Sequence, residues 1–350
     1  MSSTTLNARV LFNAVPQGVP IPGETTVYDS SQTIDLENHP LNGGFLVKTL
    51  ILSIDPGMRT RMRKPEEKGY VPAYAVGELL EGFGVGIVLR SENPDVAVGQ
   101  YLQGRGFLYQ QYFALPSLPL GMFFLNRDPG VPLTTYVGAL GLPGKTAWAG
   151  WKEFSRPKKG ETAFVPSGAS AVCSMVIQLA KLDGLKVIAS AGSEEKVEYL
   201  RQIGVDVAYN YKNVDTRGVL EREGPIDICW DTVGGDALNA ALDNAAVGAR
   251  FLECGQMTIL NKVGSRALII ENPMPTMGKG VSINFISSPL HIPKHLAEFN
   301  RTVPAALIKG TLVRSPEDVR HGLECVGETI RAVQMGETKG KAVVVVGEEA

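Results

Sequence analysis

The sequence predicts an α/β protein in which a doubly wound parallel sheet interrupts a smaller, mostly β domain. Three observations lead there. From about residue 145 to residue 286, short apolar runs alternate with amphipathic stretches. That alternation is the mark of β–α–β units joined by right-handed crossovers. The first 130 residues instead carry short β-branched runs between Gly- and Pro-rich turns, the texture of a small β domain. Finally, a strand at 341–346, apolar from 342, arrives after the alternating region has closed, so it is expected to return to the first domain. With 350 residues, 44% of them hydrophobic and 20% charged, the chain has material for two packed cores. The expected division is 1–130 plus 310–350, around an inserted 131–309.

Taken in order, the β domain places strands at 45–54, 85–89, 101–102 and 112–115. The inserted domain opens with a strand at 161–166 and a helix at 170–182, whose apolar residues 172, 175, 176, 179 and 180 share one face. A strand at 185–190 leads to a helix at 194–203, closed by Gly204. Strands at 207–210 and 226–231, a helix at 235–246 and strands at 250–254 and 281–286 complete the alternation. Helical stretches at 294–309 and 315–335 precede the closing strand. His291 and His295 stand four residues apart, but Pro293 is expected to break a helix between them. No HExxH accompanies them, so they read as a surface pair rather than a metal site.

Composition excludes several function classes. Lys and Arg number 34 against 36 Asp and Glu, a net charge of −2 with no basic stripe. A nucleic-acid or anionic-membrane partner is therefore not expected. No apolar run approaches the ~20 residues a membrane span needs. The first residues lack the basic and apolar regions of a secretion signal, and a cytoplasmic location is expected. The cysteines at 173, 229, 254 and 325 form no CxxC pair and read as buried free thiols; no metal is expected.

Two segments have the residue types of a coenzyme site. Residues 163–174, AFVPSGASAVCS, form a strand–loop–helix where an α/β sheet seats a pyrophosphate. A helix N-terminus there offers free N–H groups and partial positive charge, and small residues allow close approach. Gly168 is the only glycine in the loop, so a plain strand-to-helix turn is the alternative reading. The next strand runs into ASAGSEEK at 189–196. An NAD site would end this strand in an acid that accepts from the ribose hydroxyls. Here the end is small and polar, and Lys196 follows in the first helical turn. Lys196 is either a solvated helix-face residue or the partner of the 2′-phosphate of NADP.

Beyond these, LSIDPGMRTRM at 52–62 resembles the LSVDPYMRxRM signature of one branch of the medium-chain dehydrogenases/reductases. That branch is the zinc-independent group of prostaglandin reductases, leukotriene hydroxydehydrogenases and plant double-bond reductases. LPGKTAWAGW at 142–151 resembles its GMPGMTAYAGF, and PKKGE at 157–161 its PKKGE. SAGSEEKV at 190–197 is similar to SAGSxEKV, NYK at 210–212 to NYK, and DTVGG at 231–235 to DNVGG. Cys254-Gly255 matches the opening of CGxISxYN, and Gly340-Lys341 the end of GxNxGK. The matches run in order from about residue 9 to 346.

The resemblance implies a GroES-like β domain interrupted by a Rossmann domain, with NADPH as hydride donor. It implies reduction of the C=C bond of an α,β-unsaturated carbonyl, a small activated alkene as substrate, and a homodimer paired through strand edges near 281–286. Ser170, Ala171, Val172 and Cys173 fall on the family's pyrophosphate loop. Gly192, Ser193, Lys196 and Tyr211 fall around its 2′-phosphate. Thr232 falls on the Asn of DNVGG. Cys254, Gly255, Gln256 and Leu260 lie along its nicotinamide strand and loop. Phe285, Ile286 and Ser287 lie on the strand lining the nicotinamide, and Thr338 on the Asn of GxNxGK. Gly57, Arg59 and Phe83 fall in substrate-facing segments. The loops at 57–70, 105–112 and 259–280, with residue 83, would shape the substrate pocket.

The departures gather in the site. Ser170 and Cys173 replace both glycines of the pyrophosphate loop, and Thr232 and Thr338 replace two asparagines. Leu260 replaces the tyrosine that the family places at the nicotinamide ribose, leaving Thr258 as the nearest hydroxyl in sequence. The alternatives to an enone reductase are a diverged NADPH-binding protein with little turnover, and a quinone or enoyl reductase of the same superfamily.

Overall fold

The structure, a computed structural model, describes residues 4–262 and 270–349. The chain divides into two compact units, Met1–Leu142 with Glu317–Ala350, and Pro143–Pro316.

In the first unit four short strands pair two by two. These are β1 (Thr4–Leu6), β2 (Arg9–Phe12), β3 (Thr26–Asp29) and β4 (Thr33–Asp35), with β1 against β4 and β2 against β3. A larger antiparallel sheet follows, from β5 (Phe45–Ser53), β6 (Glu81–Ser91), β7 (Tyr101–Leu108), β8 (Tyr112–Leu115) and β9 (Met122–Leu125). Helix α1 (Met58–Arg61) leads away from β5. The run FLVKTLILS makes β5 a strand that is buried almost throughout. Its partner β6 reads EGFGVG because backbones meet there: a Cβ on Gly84 would stand 2.8 Å from the Ile51 carbonyl oxygen.

The second unit opens with α2 (Leu142–Gly150) and then alternates. Strand β10 (Thr162–Val165) is followed by α3 (Ala171–Leu182), β11 (Lys186–Ala191), α4 (Glu194–Gln202), β12 (Val207–Asn210) and α5 (Thr216–Glu223). Next come β13 (Ile226–Asp231), α6 (Gly235–Asp243), β14 (Ala245–Glu253), and the short helices α7 (Met257–Leu260) and α8 (Pro273–Gly278). Strand β15 (Ser282–Phe285) and α9 (Ser288–Ile308) close the unit. The sheet order is β12-β11-β10-β13-β14-β15, parallel throughout. Phe164, Ile188, Cys229 and Phe251 fill its centre at 0% exposure. Successive crossovers run outward from β10 in one direction and from β13 in the other. The order reverses between them, and ligands of open α/β sheets sit at the carboxyl ends of strands at such a point.

The chain then returns to the first unit as β16 (Glu317–His321), α10 (Val326–Gln334) and β17 (Lys341–Val345). Strand β17 pairs antiparallel with β5 and parallel with β16.

Two local expectations are corrected. Residues 315–335 are not helical throughout. The segment EDVRH forms β16, because pairing with β17 satisfies its backbone whatever its propensity. Gly322, at φ +84°, ends it before α10. Pro293 does not break the helix between His291 and His295: α9 is continuous through Pro293 and Pro304. Its first turn is tied by the Ser287 N–H donating to His291 Nδ1 at 3.0 Å, and buried Phe299 and Val303 hold it down. Pro289 and Pro293 are exposed, so the Pro289 carbonyl that loses its i+4 donor can take water. Among the described residues no helix is long and apolar enough to cross a membrane.

In the first unit Lys341 has a side chain only 3% exposed, and its Nζ lies 2.9 Å from Asp55 Oδ1. It also donates to the Ile54 carbonyl at 2.6 Å. Removing one partner of a buried pair strands the other charge, at about 3–5 kcal/mol. Lys341→Met is expected to lower unfolding free energy by about 3 kcal/mol in urea titrations; a loss below about 1 kcal/mol, typical of exposed pairs, would refute this account.

Candidate functional site

The carboxyl ends of β10, β11, β13 and β14 bring together most of the residues singled out in the sequence. Between β10 and α3, Ser170 is the helix N-cap, and its hydroxyl accepts from the Cys173 N–H at 3.3 Å. A serine cap satisfies one of the first-turn donors and keeps its own O–H proton for another acceptor. Ala171 and Val172 follow, half-exposed, with their first-turn N–H groups at the helix end. The Cys173 side chain is fully buried, its sulfur 3.6 Å from both the Pro166 carbonyl oxygen and Thr232 Oγ1. Burial pushes its thiol up to about 11, so it stays neutral. Cys173 is therefore packing and Ser170 is the polar element of this turn.

The end of β11 carries no acid: the strand finishes at Ala191, then Gly192 and Ser193. Ser193 caps α4, accepting from the Lys196 N–H at 3.4 Å, and so sets Lys196 in the first turn. Tyr211, just past β12, is 52% exposed, and its N–H donates to the Ala191 carbonyl. Its hydroxyl lies over Gly192, where a Cβ would stand 3.0 Å from it. Nearby, the Glu194 side chain accepts from Asn210 Nδ2 at 2.9 Å. The result is a small-residue turn with Lys196 and Tyr211 at its rim.

The loops after β13 and β14 are laced together. Cys254 N–H donates to the Asp231 carbonyl at 2.8 Å, Met257 N–H to Thr232 and Thr258 N–H to Val233, both at 3.1 Å. Thr258 Oγ1 also donates to the Val233 carbonyl at 2.8 Å. Gly234 and Gly235, at φ +72° and +58°, make the turn into α6. Inside that turn lies Asp231, fully buried, accepting from the N–H groups of Val233 and Gly234 at 2.8 Å. Glu253 stands beside it in register across β14 and is 4% exposed. Its Oε2 accepts from Gln256 Nε2 at 2.9 Å, while its Oε1 has no partner among the described residues. Burial raises both carboxyls. Asp231 reaches about 6, restrained by its backbone donors. Glu253 reaches about 8, because the charge of Asp231 adds to its burial.

Of the remaining residues, Leu260 ends α7, half-exposed, and Gly255 follows Cys254 in the laced loop. Phe285 lies on the edge strand β15 at 64% exposure. Ile286 N–H donates to the Glu253 carbonyl, and Ser287 precedes α9. In the other unit, Gly57 precedes α1 with open space where a Cβ would be. Phe83 is half-exposed on β6, and Thr338 lies between α10 and β17. Arg59 is 2% exposed, and its guanidinium donates to the carbonyls of Gly18 and Met62, both at 3.1 Å. It thus ties the loop before β3 to α1. Residues 263–269 of the 259–280 loop lie outside the described residues. The Asp231/Glu253 pair escaped the sequence reading. Its signal was an acid closing the strand segment RFLE directly after the apolar pair Phe251-Leu252, one residue before Cys254.

Residues 171–289 match the family model described as zinc-binding dehydrogenase, and 9–117 that of the N-terminal domain of oxidoreductase. The chain is 35% identical over its whole length to the whole of the 2-alkenal reductase (NADP(+)-dependent) of Nicotiana tabacum. It belongs to the medium-chain dehydrogenases/reductases, in their zinc-independent double-bond reductase group. The (+)-pulegone reductase of Mentha piperita is 36% identical over 88% of this chain and 89% of its own. The crystal structure of CurA from Vibrio vulnificus in complex with NADPH superposes with a TM-score of 0.86 at 26% identity, covering 98% of this chain and 100% of that one. The GroES-like and Rossmann fold class is that of these relatives. Although one family model is described by zinc, no group of three or more His, Cys, Asp or Glu that could hold a metal ion occurs among the described residues.

The carboxyl pair fixes a pH dependence of stability. An unfolded glutamate releases its proton near 4.5, whereas folded Glu253 keeps it to about 8. Across that window the folded state binds more protons, so stability falls as pH rises from 4.5 to 8 and levels off above. Relative to Glu253→Gln, the unmodified protein is expected to lose on the order of 3 kcal/mol between pH 5 and pH 8 in urea titrations. Parallel stability curves for the two proteins would show that Glu253 does not titrate this way.

Proposed function

We propose that this protein is an NADPH-dependent reductase of the C=C bond in α,β-unsaturated carbonyl compounds. The reading is carried by the coincidence of whole-length likeness to a 2-alkenal reductase with a β11–α4 turn that lacks an acid and carries Lys196. NADPH fits the residues present. The α3 N-terminus with Ser170, Ala171 and Val172 would take the pyrophosphate. Gly192, Ser193, Lys196 and Tyr211 would hold the 2′-phosphate, a lysine ammonium being a compact partner for a dianion. Thr232, Cys254, Gly255, Gln256, Leu260, Phe285, Ile286 and Ser287 would border the nicotinamide half.

When bound, NADPH supplies a hydride to the β-carbon of the activated alkene. The chain's share is to orient the substrate and exclude water. Leu260 offers no proton, and the Thr258 hydroxyl already donates to the Val233 carbonyl. The α-carbon therefore takes its proton from water, and turnover is slow except on strongly electrophilic substrates. Gly57 and Phe83 are the substrate residues of this reading, and Thr338 belongs with its coenzyme residues. In this reading Arg59 acts through the loop it ties. The reading extends to a cytoplasmic homodimer, supported by the free cysteines among the described residues and by β15 as a sheet edge open to a second copy.

NADPH is expected to bind more tightly than NADH by about 10–150-fold, the value of one charge-assisted contact of about 1.5–3 kcal/mol. Lys196→Ala is expected to remove most of that preference while leaving NADH kinetics nearly unchanged. Equal use of both coenzymes by the unmodified protein would defeat the assignment.

General acid catalysis contributes about 10²–10⁴-fold, which bounds the cost of Leu260. Leu260→Tyr is expected to raise kcat on small enones by roughly tenfold or more, within that bound. The measurement is NADPH consumption with enals, enones and quinones by both proteins. Coenzyme-induced thermal stabilisation without turnover on any of them would favour a coenzyme-binding protein of low activity.

A further inference from the structure

The pair at the ends of β13 and β14 has a form that packing alone does not require. Two carboxyls stand side by side in register, 0% and 4% exposed, and no Lys, Arg or His among the described residues bonds or pairs with either. The titratable groups around them are thiols: Cys173 from α3, Cys229 from β13 and Cys254 from the loop after β14. Burial pushes all three up, so they are neutral and bring no compensating charge. The favourable electrostatics comes from backbone: the N–H groups of Val233 and Gly234 on Asp231, at the N-terminal end of α6. Gln256 gives Glu253 one donor, and Glu253 Oε1 has none among the described residues. An unpaired buried oxygen is tolerable on a neutral acid and costly on a carboxylate.

These two side chains also join the loops that border the nicotinamide half in the reading above, on which this inference rests. Asp231 shapes 232–235, Glu253 is bonded to Gln256, and backbone bonds tie 254–258 to 231–233. We propose that Asp231 and Glu253 are positioning residues that between them hold one proton, keeping the two coenzyme loops laced while it is present and loosening them when both carboxyls are charged. The ionised pair would place two like charges together in a site without a cation, and relief comes by admitting water between the loops. Bound coenzyme raises the cost further, because its pyrophosphate brings negative charge to the α3 N-terminus after β10, the strand next to β13. The proton is therefore held more firmly in the complex than in the free protein. By linkage, coenzyme affinity falls as pH rises through the free protein's titration of Glu253, near pH 8.

The test uses the full-length protein and NADPH, read by fluorescence titration between pH 7 and 9.5. In this range the 2′-phosphate is already fully charged, its second pKa being about 6. An ordinary lysine, near 10.4, still keeps its proton. A difference of half to one pKa unit between free and bound states predicts a Kd about three- to tenfold weaker at pH 9.5 than at pH 7. Glu253→Gln keeps the shape and the neutral form at every pH and carries the same Lys196, so its Kd is expected to stay level across the range. On the unmodified protein alone, calorimetric titration in buffers of different ionisation enthalpy is expected to show proton uptake on NADPH binding, greatest between pH 8 and 9. This second readout stands even if the variant folds poorly. A Kd indifferent to pH, no proton uptake, or a Glu253→Gln profile that parallels the unmodified one would overturn the inference while leaving the coenzyme site intact. Absence of NADPH binding at every pH would overturn the site and this inference together.

Discussion

One buried carboxylate sets the shape of the strand ends on which the candidate site is built. Asp231 turns back from the end of β13 and takes the N–H groups of Val233 and Gly234. That forces the chain through two left-handed glycines and starts α6 at once. With the turn held, its carbonyls at 231, 232 and 233 face the next loop and receive donors from 254, 257 and 258. Parallel pairing of β13 and β14 is thereby continued past the strand ends. The constraint is one of satisfaction. A buried turn must place its backbone donors and acceptors, and here one side chain takes two of the donors while the next loop supplies the acceptors' partners.

The two units treat buried charge differently. In the discontinuous unit the Lys341 ammonium is matched by Asp55 and by the Ile54 carbonyl, and the Arg59 guanidinium by backbone carbonyls. Each charge there has its counterpart, and the result is a fixed anchor for the segment around Gly57. At the β13–β14 edge the counterpart is a proton. A matched ion pair is insensitive to pH near neutrality, whereas a pair that relies on a proton responds to it. The same contrast bears on chemistry. Ser170 keeps a donor at the helix end despite lacking a glycine's freedom, while Leu260 and the engaged Thr258 leave protonation to water.

Much of this was legible in the sequence. The 3.6-residue pattern of 170–182 and the apolar runs around 162–165 and 226–231 announced their elements, because a parallel strand buried on both faces and an amphipathic crossover helix leave strong local signals. The missing acid after β11 and the position of Lys196 were equally plain, since both depend on residues adjacent in the chain. The segment EDVRH was not: its polar composition says nothing of a strand, and it becomes β16 only because β17 offers it a parallel edge. Pro293 likewise reads as a breaker until the rest of α9 is packed.

By itself, then, the sequence determined the class of fold, the order of its elements and the acid-free turn with Lys196 at 189–196, because periodicity, turn residues and motif spacing are local properties. Tertiary structure alone decided that Cys173 faces the core and that Arg59 ties down a loop. It alone set Glu253 beside Asp231, twenty-two positions away in the chain, with one oxygen unpartnered among the described residues. The register of β13 against β14 makes that juxtaposition, and burial converts it into a proton-holding pair. Register and burial belong to the assembled sheet, and no window of the sequence contains them.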